Sequence, residues 1–194
     1  MRLLRTHPLR TNASTAAVVT FAGDGIAQRI EHWARSRQAV AHDSSVVFAW
    51  DGQRAAVMTG FWGPQSLGNY YWFAWLDRRF PTHRGPSWAT MKVLGKKLLV
   101  HQWSWVPFTN GLFYVFLVCA YSGLDTAPTS QRRLAQDVWT KISTELWPTQ
   151  MRSVFVWGVA HSFNFLFLPT HTRVLFNSTV QVGWVAYLSV AGHR

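Results

Sequence analysis

Charged side chains are absent from four long stretches of this chain. They are the 22 residues between Arg54 and Asp77, the 27 between Lys97 and Asp125, the 20 between Arg152 and Arg173, and the 20 between Arg173 and Arg194. A hydrocarbon core about 30 Å thick is crossed by roughly 20 mostly apolar residues rising 1.5 Å each. Each stretch is therefore long enough to span a bilayer. One such window is also what a buried core helix looks like, but four in 194 residues predict a membrane bundle. A fifth window, from Arg10 to Arg29, is broken only by Asp24.

The pattern predicts an all-α fold: a polytopic membrane helix bundle of four to five spans, forming one membrane-embedded domain over residues 1–194. The spans fall near 12–30, 54–77, 98–121, 151–168 and 172–190. Asn12 or Ser14 suits the N-cap of the first, and Ala13, Ala16, Ala17, Gly23 and Ala27 keep that helix slim enough for close packing. Residues 31–53 read as a polar, irregular loop with room for a short helix. Gly63 and Pro64 are expected to kink the second span, Pro107 the third, and Pro169 to turn the chain between the fourth and fifth. Residues 131–145 read as a separate amphipathic helix at the interface. Lys and Arg number ten on one side and nine on the other by these boundaries, so the positive-inside rule sets no orientation.

Composition refines this picture. The net charge is +11 with only eight acidic residues, and there are twelve Trp. Basic charge with many aromatics also fits a nucleic-acid binder. Here the aromatics lie in charge-free runs and the cations lie outside them, as in helices whose ends snorkel to lipid headgroups. Nucleic acid is therefore not expected as a partner; the bilayer is. The segment Met1 to Thr11 is basic and acid-free, like mitochondrial targeting sequence. The single cysteine, Cys119, lies in a predicted span and is expected to be a small buried hydrophobe.

The chain resembles the twenty-two-kilodalton peroxisomal membrane protein family, also called Mpv-seventeen-like. Trp157, Asn164, Phe165, Pro169, Arg173, Trp184, Tyr187, Leu188 and Ser189 fall at the spacing of its C-terminal signature without a gap. Its N-terminal Gly-Asp-x-x-x-Gln is met by Gly23, Asp24 and Gln28, its Gly-Pro and aromatic Leu-Asp stretch by Gly63, Pro64, Trp72, Phe73, Leu76 and Asp77, and its later Gln and Pro by Gln102 and Pro107. The chain departs from the family where Gly158 replaces Pro, His161 replaces Gln, His101 replaces Asp and Tyr70 replaces His. The resemblance implies a small integral protein of the mitochondrial inner membrane or, alternatively, the peroxisomal membrane, with no established enzymatic chemistry. Some members are thought to form channels, and the changed polar positions weigh against inheriting that activity.

Asp24 is the sharpest functional candidate. An ionised carboxylate in hydrocarbon must face protein or water and find a partner. Arg54 and Arg173 each open a span and are the candidate cations. Asp24 is read either as a pore-lining or proton-sensing group or as a structural ion pair or helix-capping contact, with the structural reading favoured, and Gln28 is a further intramembrane polar candidate. Gly158, His161 and Asn164 share one face of the fourth span, and Asn177, Gln181 and Trp184 one face of the fifth. A hairpin at Pro169 places Asn164 near Asn177 or Ser178 and His161 near Gln181, as a hydrated pathway or, the favoured reading, as polar glue between helices. No spacing suits a metal site, a nucleophile elbow or a phosphate loop. No catalytic residue, metal or cofactor is expected, while structural lipids such as cardiolipin are compatible. The favoured role is a non-catalytic accessory subunit among other membrane subunits of a mitochondrial inner-membrane assembly, a respiratory complex or ATP synthase. The alternative is a stand-alone non-selective pore.

Overall fold

The helices cover the uncharged windows and most run beyond them into polar sequence. The computed structural model describes residues 8–40, 47–81, 87–124, 131–167 and 170–192. These form α1 (Pro8–Val40), α2 (Gly52–Arg79), α3 (Trp88–Val100), a π-helical segment (His101–Trp105), α4 (Val106–Leu124), α5 (Gln131–Phe167) and α6 (Thr170–Gly192). The all-α expectation is met among the described residues. One run, Trp88–Leu124, is long and apolar enough by length and composition to cross a membrane.

Several boundaries differ from the sequence expectation, each for a local reason. α1 begins at Pro8 rather than at an Asn12 or Ser14 cap, because proline at a first helical position gives up a donor that has no intrahelical acceptor anyway. It also continues to Val40, through residues expected to be loop. Arg35 and Glu31 face each other one turn apart there, at 4.0 Å. α2 passes through Pro64 without a break, and the Ser66 hydroxyl donates to the Gly63 carbonyl at 2.6 Å. The expected interfacial helix at 131–145 is the first part of α5, which continues through Pro148. Pro169 lies outside the described residues.

The π-helical segment precedes Pro107. Proline cannot donate to the preceding turn, and its ring crowds the carbonyl four residues back. Widening the helix one turn earlier relieves that crowding: the Val106 N–H reaches back five residues to His101. Both His101 and Gln102, in this segment, are buried. Cys119 is exposed, which corrects the expectation of a buried hydrophobe. It lies opposite the stripe of α4 formed by Val106, Asn110, Phe113 and Leu117, which is the buried side.

Contacts divide the chain into two compact units. One is Met1–Leu67 with Ser178–Arg194, and the other is Gly68–Asn177. In the first, α1 buries Thr20, Gly23, Asp24, Ala27 and Gln28 along one stripe. Gly23 lets the C-terminal part of α6 come close: a Cβ there would lie 3.0 Å from the Val182 carbonyl oxygen and 3.1 Å from Val185. In the second unit, α4 packs on α5, where Tyr114 bonds Thr149, and Asn110, Phe113, Leu117, Gln150 and Ser153 are buried.

Candidate functional site: two buried polar networks

The first network is built on α1 by spacing alone. Asp24, Gln28 and Glu31 stand at i, i+4 and i+7, so all three project from one face. Opposite them lies the start of α2. The Asp51 carboxylate accepts from the Arg54 N–H at 2.9 Å, which makes Asp51 the N-cap of that helix. Gln28 grips the same residue by its backbone, accepting from the Asp51 N–H at 2.8 Å and donating to the Asp51 carbonyl at 2.9 Å. Its amide nitrogen also donates to Asp24 at 2.8 Å.

This cap aims Arg54 inward. Its Nε donates to Asp24 Oδ1 at 3.0 Å, and its two terminal nitrogens meet the two oxygens of Glu31 at 2.8 Å each. The planar guanidinium fork suits that bidentate geometry. The Asp24 side chain is fully buried, and that of Arg54 is 7% exposed. Glu31 and Asp51 were missed in the sequence because they fell in a stretch read as loop. The signals were present: Glu31 is seven residues after Asp24, and Asp51 is three before Arg54.

The second network is neutral and belongs to the other unit. Trp72 Nε1 donates to His101 Nδ1 at 2.9 Å, and Trp105 Nε1 donates to Asn69 at 2.7 Å. These bonds hold the Trp72 and Trp105 rings parallel, 4.8 Å apart. His161 packs against His101, Phe73 and Trp157. Gln102 donates to Ser153 at 3.1 Å, Gln150 donates to the Gln102 carbonyl at 2.7 Å, and Tyr114 and Thr149 share a hydrogen bond of 2.6 Å. Asn110 Nδ2 and Gln150 Oε1 are buried without a hydrogen-bond partner among the described residues. Lys97, whose side chain is 2% exposed, pairs with Asp77 at the exposed end of α2.

Other candidates fall elsewhere. Pro107 stands just beyond the π-helical segment, and Gly158 borders open space on α5. Asn177 and Gln181 are half-buried and Trp184 is buried. The side chains of Asn164 and Arg173 lie outside the described residues.

Beside apolar core residues such as Met58, Phe113 and Leu188, the interior holds many polar groups, and many large apolar side chains face outward. Asp24, Gln28, Arg54, His101, Gln102, Asn110, Gln150 and His161 are inside, while Phe155, Val159, Trp139, Leu99, Phe108 and Val18 face outward. Buried polar groups that are mostly paired within, together with large apolar groups turned outward, fit a helical membrane protein. The chain belongs to the Mpv17 / PMP22 family. That family's model matches residues 129–189. The chain is 30% identical to PXMP2/4 family protein 3 of Dictyostelium discoideum, over 98% of this chain and 87% of that protein. It is 27% identical to Peroxisomal membrane protein 2 of Bos taurus, over 99% of the chain and 87% of the relative, and 27% identical to Protein SYM1 of Gibberella zeae, over 96% and 91%. No solved structure matches.

Proposed function

We propose that this chain is a non-catalytic polytopic membrane protein of four to five spans that serves as an accessory, structural subunit among other membrane proteins. The observation that carries this reading is the state of its intramembrane charge. Asp24 is held by Arg54 and Gln28, and Arg54 is held in turn by Glu31. A carboxylate engaged in this way is a fixed cross-link between α1 and α2 rather than a group poised to meet a passing solute. Exposed aromatic and branched side chains on α1, α4 and α5 supply surface for lipid or neighbouring helices.

The organelle is the mitochondrial inner membrane or the peroxisomal membrane. The basic, acid-free stretch from Met1 to Thr11 supports the first, and the name of the bovine relative supports the second. Native membranes extracted in mild detergent and resolved on a native gel test the role. Stoichiometric co-migration with a larger assembly is the expected result, and migration alone as a monomer or small homo-oligomer would defeat the accessory reading.

A solute-conducting pore is the second reading, and one observation favours it. The unpartnered Asn110 and Gln150 atoms lie in the neutral network, where water would satisfy them. Planar-bilayer recordings of the purified protein decide this: a conductance abolished by Gln150→Leu supports a pore, and a silent bilayer removes it.

A further inference from the structure

One end of the second unit carries cations that no acid answers. Arg78 and Arg79 lie in the last turn of α2, and Lys92 and Lys96 stand one turn apart on α3; all four are exposed. The carboxylate beside them in sequence, Asp77, is taken by Lys97. Among the described residues none of the four meets an acid. Arg78 Nε donates to the Ala74 carbonyl at 3.3 Å, Arg79 lies over the Phe80 ring and Lys92 over that of Trp88. From Arg78 to Leu124 the chain has no Asp or Glu. Other basic helix ends differ. Glu31 lies among Arg29, Arg35 and Arg37 on α1, and Asp137 and Glu145 lie among Arg132, Arg133 and Lys141 on α5.

The bond from Trp72 to His101 and the pair of Asp77 with Lys97 set α2 antiparallel to the run that begins with α3. Arg78 and Arg79 therefore come beside the turn of Lys92 to Lys96. The exposed side chains change character at this level on both helices. Along α2 they pass from Tyr71 and Trp75 to Arg78 and Arg79; along the other helix, read in the opposite direction, they pass from Trp103 and Leu99 to Lys96 and Lys92. Two neighbouring helices that turn from aromatic and apolar to basic at one height mark a membrane–water boundary, because Trp and Tyr collect at headgroup depth and cations reach just outside it. Lys97 is also the last charge before 27 uncharged residues, which lie within the apolar run Trp88–Leu124. The phosphates of a leaflet lie at that height whether or not a partner protein is present. Each Lys or Arg near an anionic surface strengthens binding by a factor of about five.

We propose that Arg78, Arg79, Lys92 and Lys96 form a docking collar for the phosphates of anionic phospholipids and tie this end of the unit to an anionic leaflet. The two guanidinium groups offer forked donors and the two ammonium groups point charges, and both suit phosphate oxygens. The proposal rests on the membrane reading given above. It is tested on the full-length protein reconstituted in vesicles of equal phosphatidylglycerol and phosphatidylcholine, re-extracted in mild detergent and weighed by native mass spectrometry. The wild type is expected to retain phosphatidylglycerol over phosphatidylcholine by about tenfold or more. Arg78→Gln with Arg79→Gln, and separately Lys92→Gln with Lys96→Gln, should each lower that preference by about fivefold, and the quadruple variant should abolish it. Arg132→Gln with Lys141→Gln removes the same charge where acids are interleaved and should leave the preference unchanged. Equal retention of the two lipids by the wild type, a preference that survives the quadruple variant, or one that falls as far in the α5 control overturns the proposal. So does displacement of phosphatidylglycerol by an equal concentration of inorganic phosphate, which would make the cations a loose anion site. A co-purifying protein that the quadruple variant alone loses, with lipid retention unchanged, would assign the collar to a protein partner instead. Alkaline carbonate treatment of the same vesicles separates the two failures. Release into the supernatant defeats the membrane reading, whereas protein that stays with the lipid but shows no preference defeats the collar alone.

Discussion

The two units bury polar groups by different means. In the unit of Met1–Leu67 with Ser178–Arg194, the buried groups are ionised, and a single guanidinium joins two carboxylates. In Gly68–Asn177 the interior is joined mainly by amides, hydroxyls, indoles and imidazoles, and its buried ammonium, that of Lys97, meets a carboxylate, Asp77, that is itself exposed. The difference teaches where the fold is brittle. Losing one member of a buried ion pair strands a charge in a medium that cannot solvate it. Losing one neutral partner strands only a dipole, which neighbours or water can satisfy.

The largest expected effect comes from breaking the ionic unit. Arg54→Met leaves Asp24 buried and uncompensated and should cost about 3–5 kcal/mol, read as a large fall in the thermal unfolding temperature of detergent-solubilised protein. Adding Asp24→Leu should recover a substantial part of that loss. A double variant no better than Arg54→Met would show that the clamp is not what holds α1 to α2.

A smaller effect is expected from steric change in the same unit. Gly23→Ala forces a methyl against the Val182 carbonyl and Val185 and should cost about 1–3 kcal/mol. An unchanged melting temperature would mean that the close approach of α6 adds nothing to stability.

The neutral network should respond more weakly. Gln102→Leu, combined in a double-mutant cycle with Ser153→Ala, should give a coupling of about 0.6 kcal/mol and not above roughly 2. A coupling equal to that of Asp24 and Arg54 would erase the contrast between the two units. Smallest, and of opposite sign, is Gly111→Ala. Open space surrounds that position, so the loss of unfolded-state entropy should stabilise α4 by up to about 1 kcal/mol. A destabilised variant would indicate that something packs against that face of α4.

How much was legible depends on the residue. Asp24 stood out because one charge interrupted an otherwise uncharged window, and Arg54 because it opened another. Glu31 did not stand out, since a glutamate beyond the end of a hydrophobic run looks like any solvated loop residue until the helix is known to continue to Val40. Asp51 was hidden for the same reason: a cap is recognisable only when the first turn after it is placed. Lys97 seemed to mark the edge of a span, yet its ammonium lies against Asp77 with the stem buried. Cys119 was misjudged because the expectation rested on residue type, free cysteine being usually buried, and not on the face of α4 it occupies, which lies away from Phe113 and Leu117.

The sequence by itself determined the all-α class, the positions of the long apolar runs and the family, because these rest on hydropathy, on spacing and on residues read in order along one chain. Tertiary structure alone decided which partner Arg54 takes, that Gln28 holds the backbone of Asp51, that His101 and Gln102 are buried together, and that Phe155 and Val159 face outward. Those outcomes depend on which helix faces lie against each other and at what register. Dispersion and hydrogen bonding between helices fix that choice at short range, and the order of residues along the chain does not encode it in any one segment.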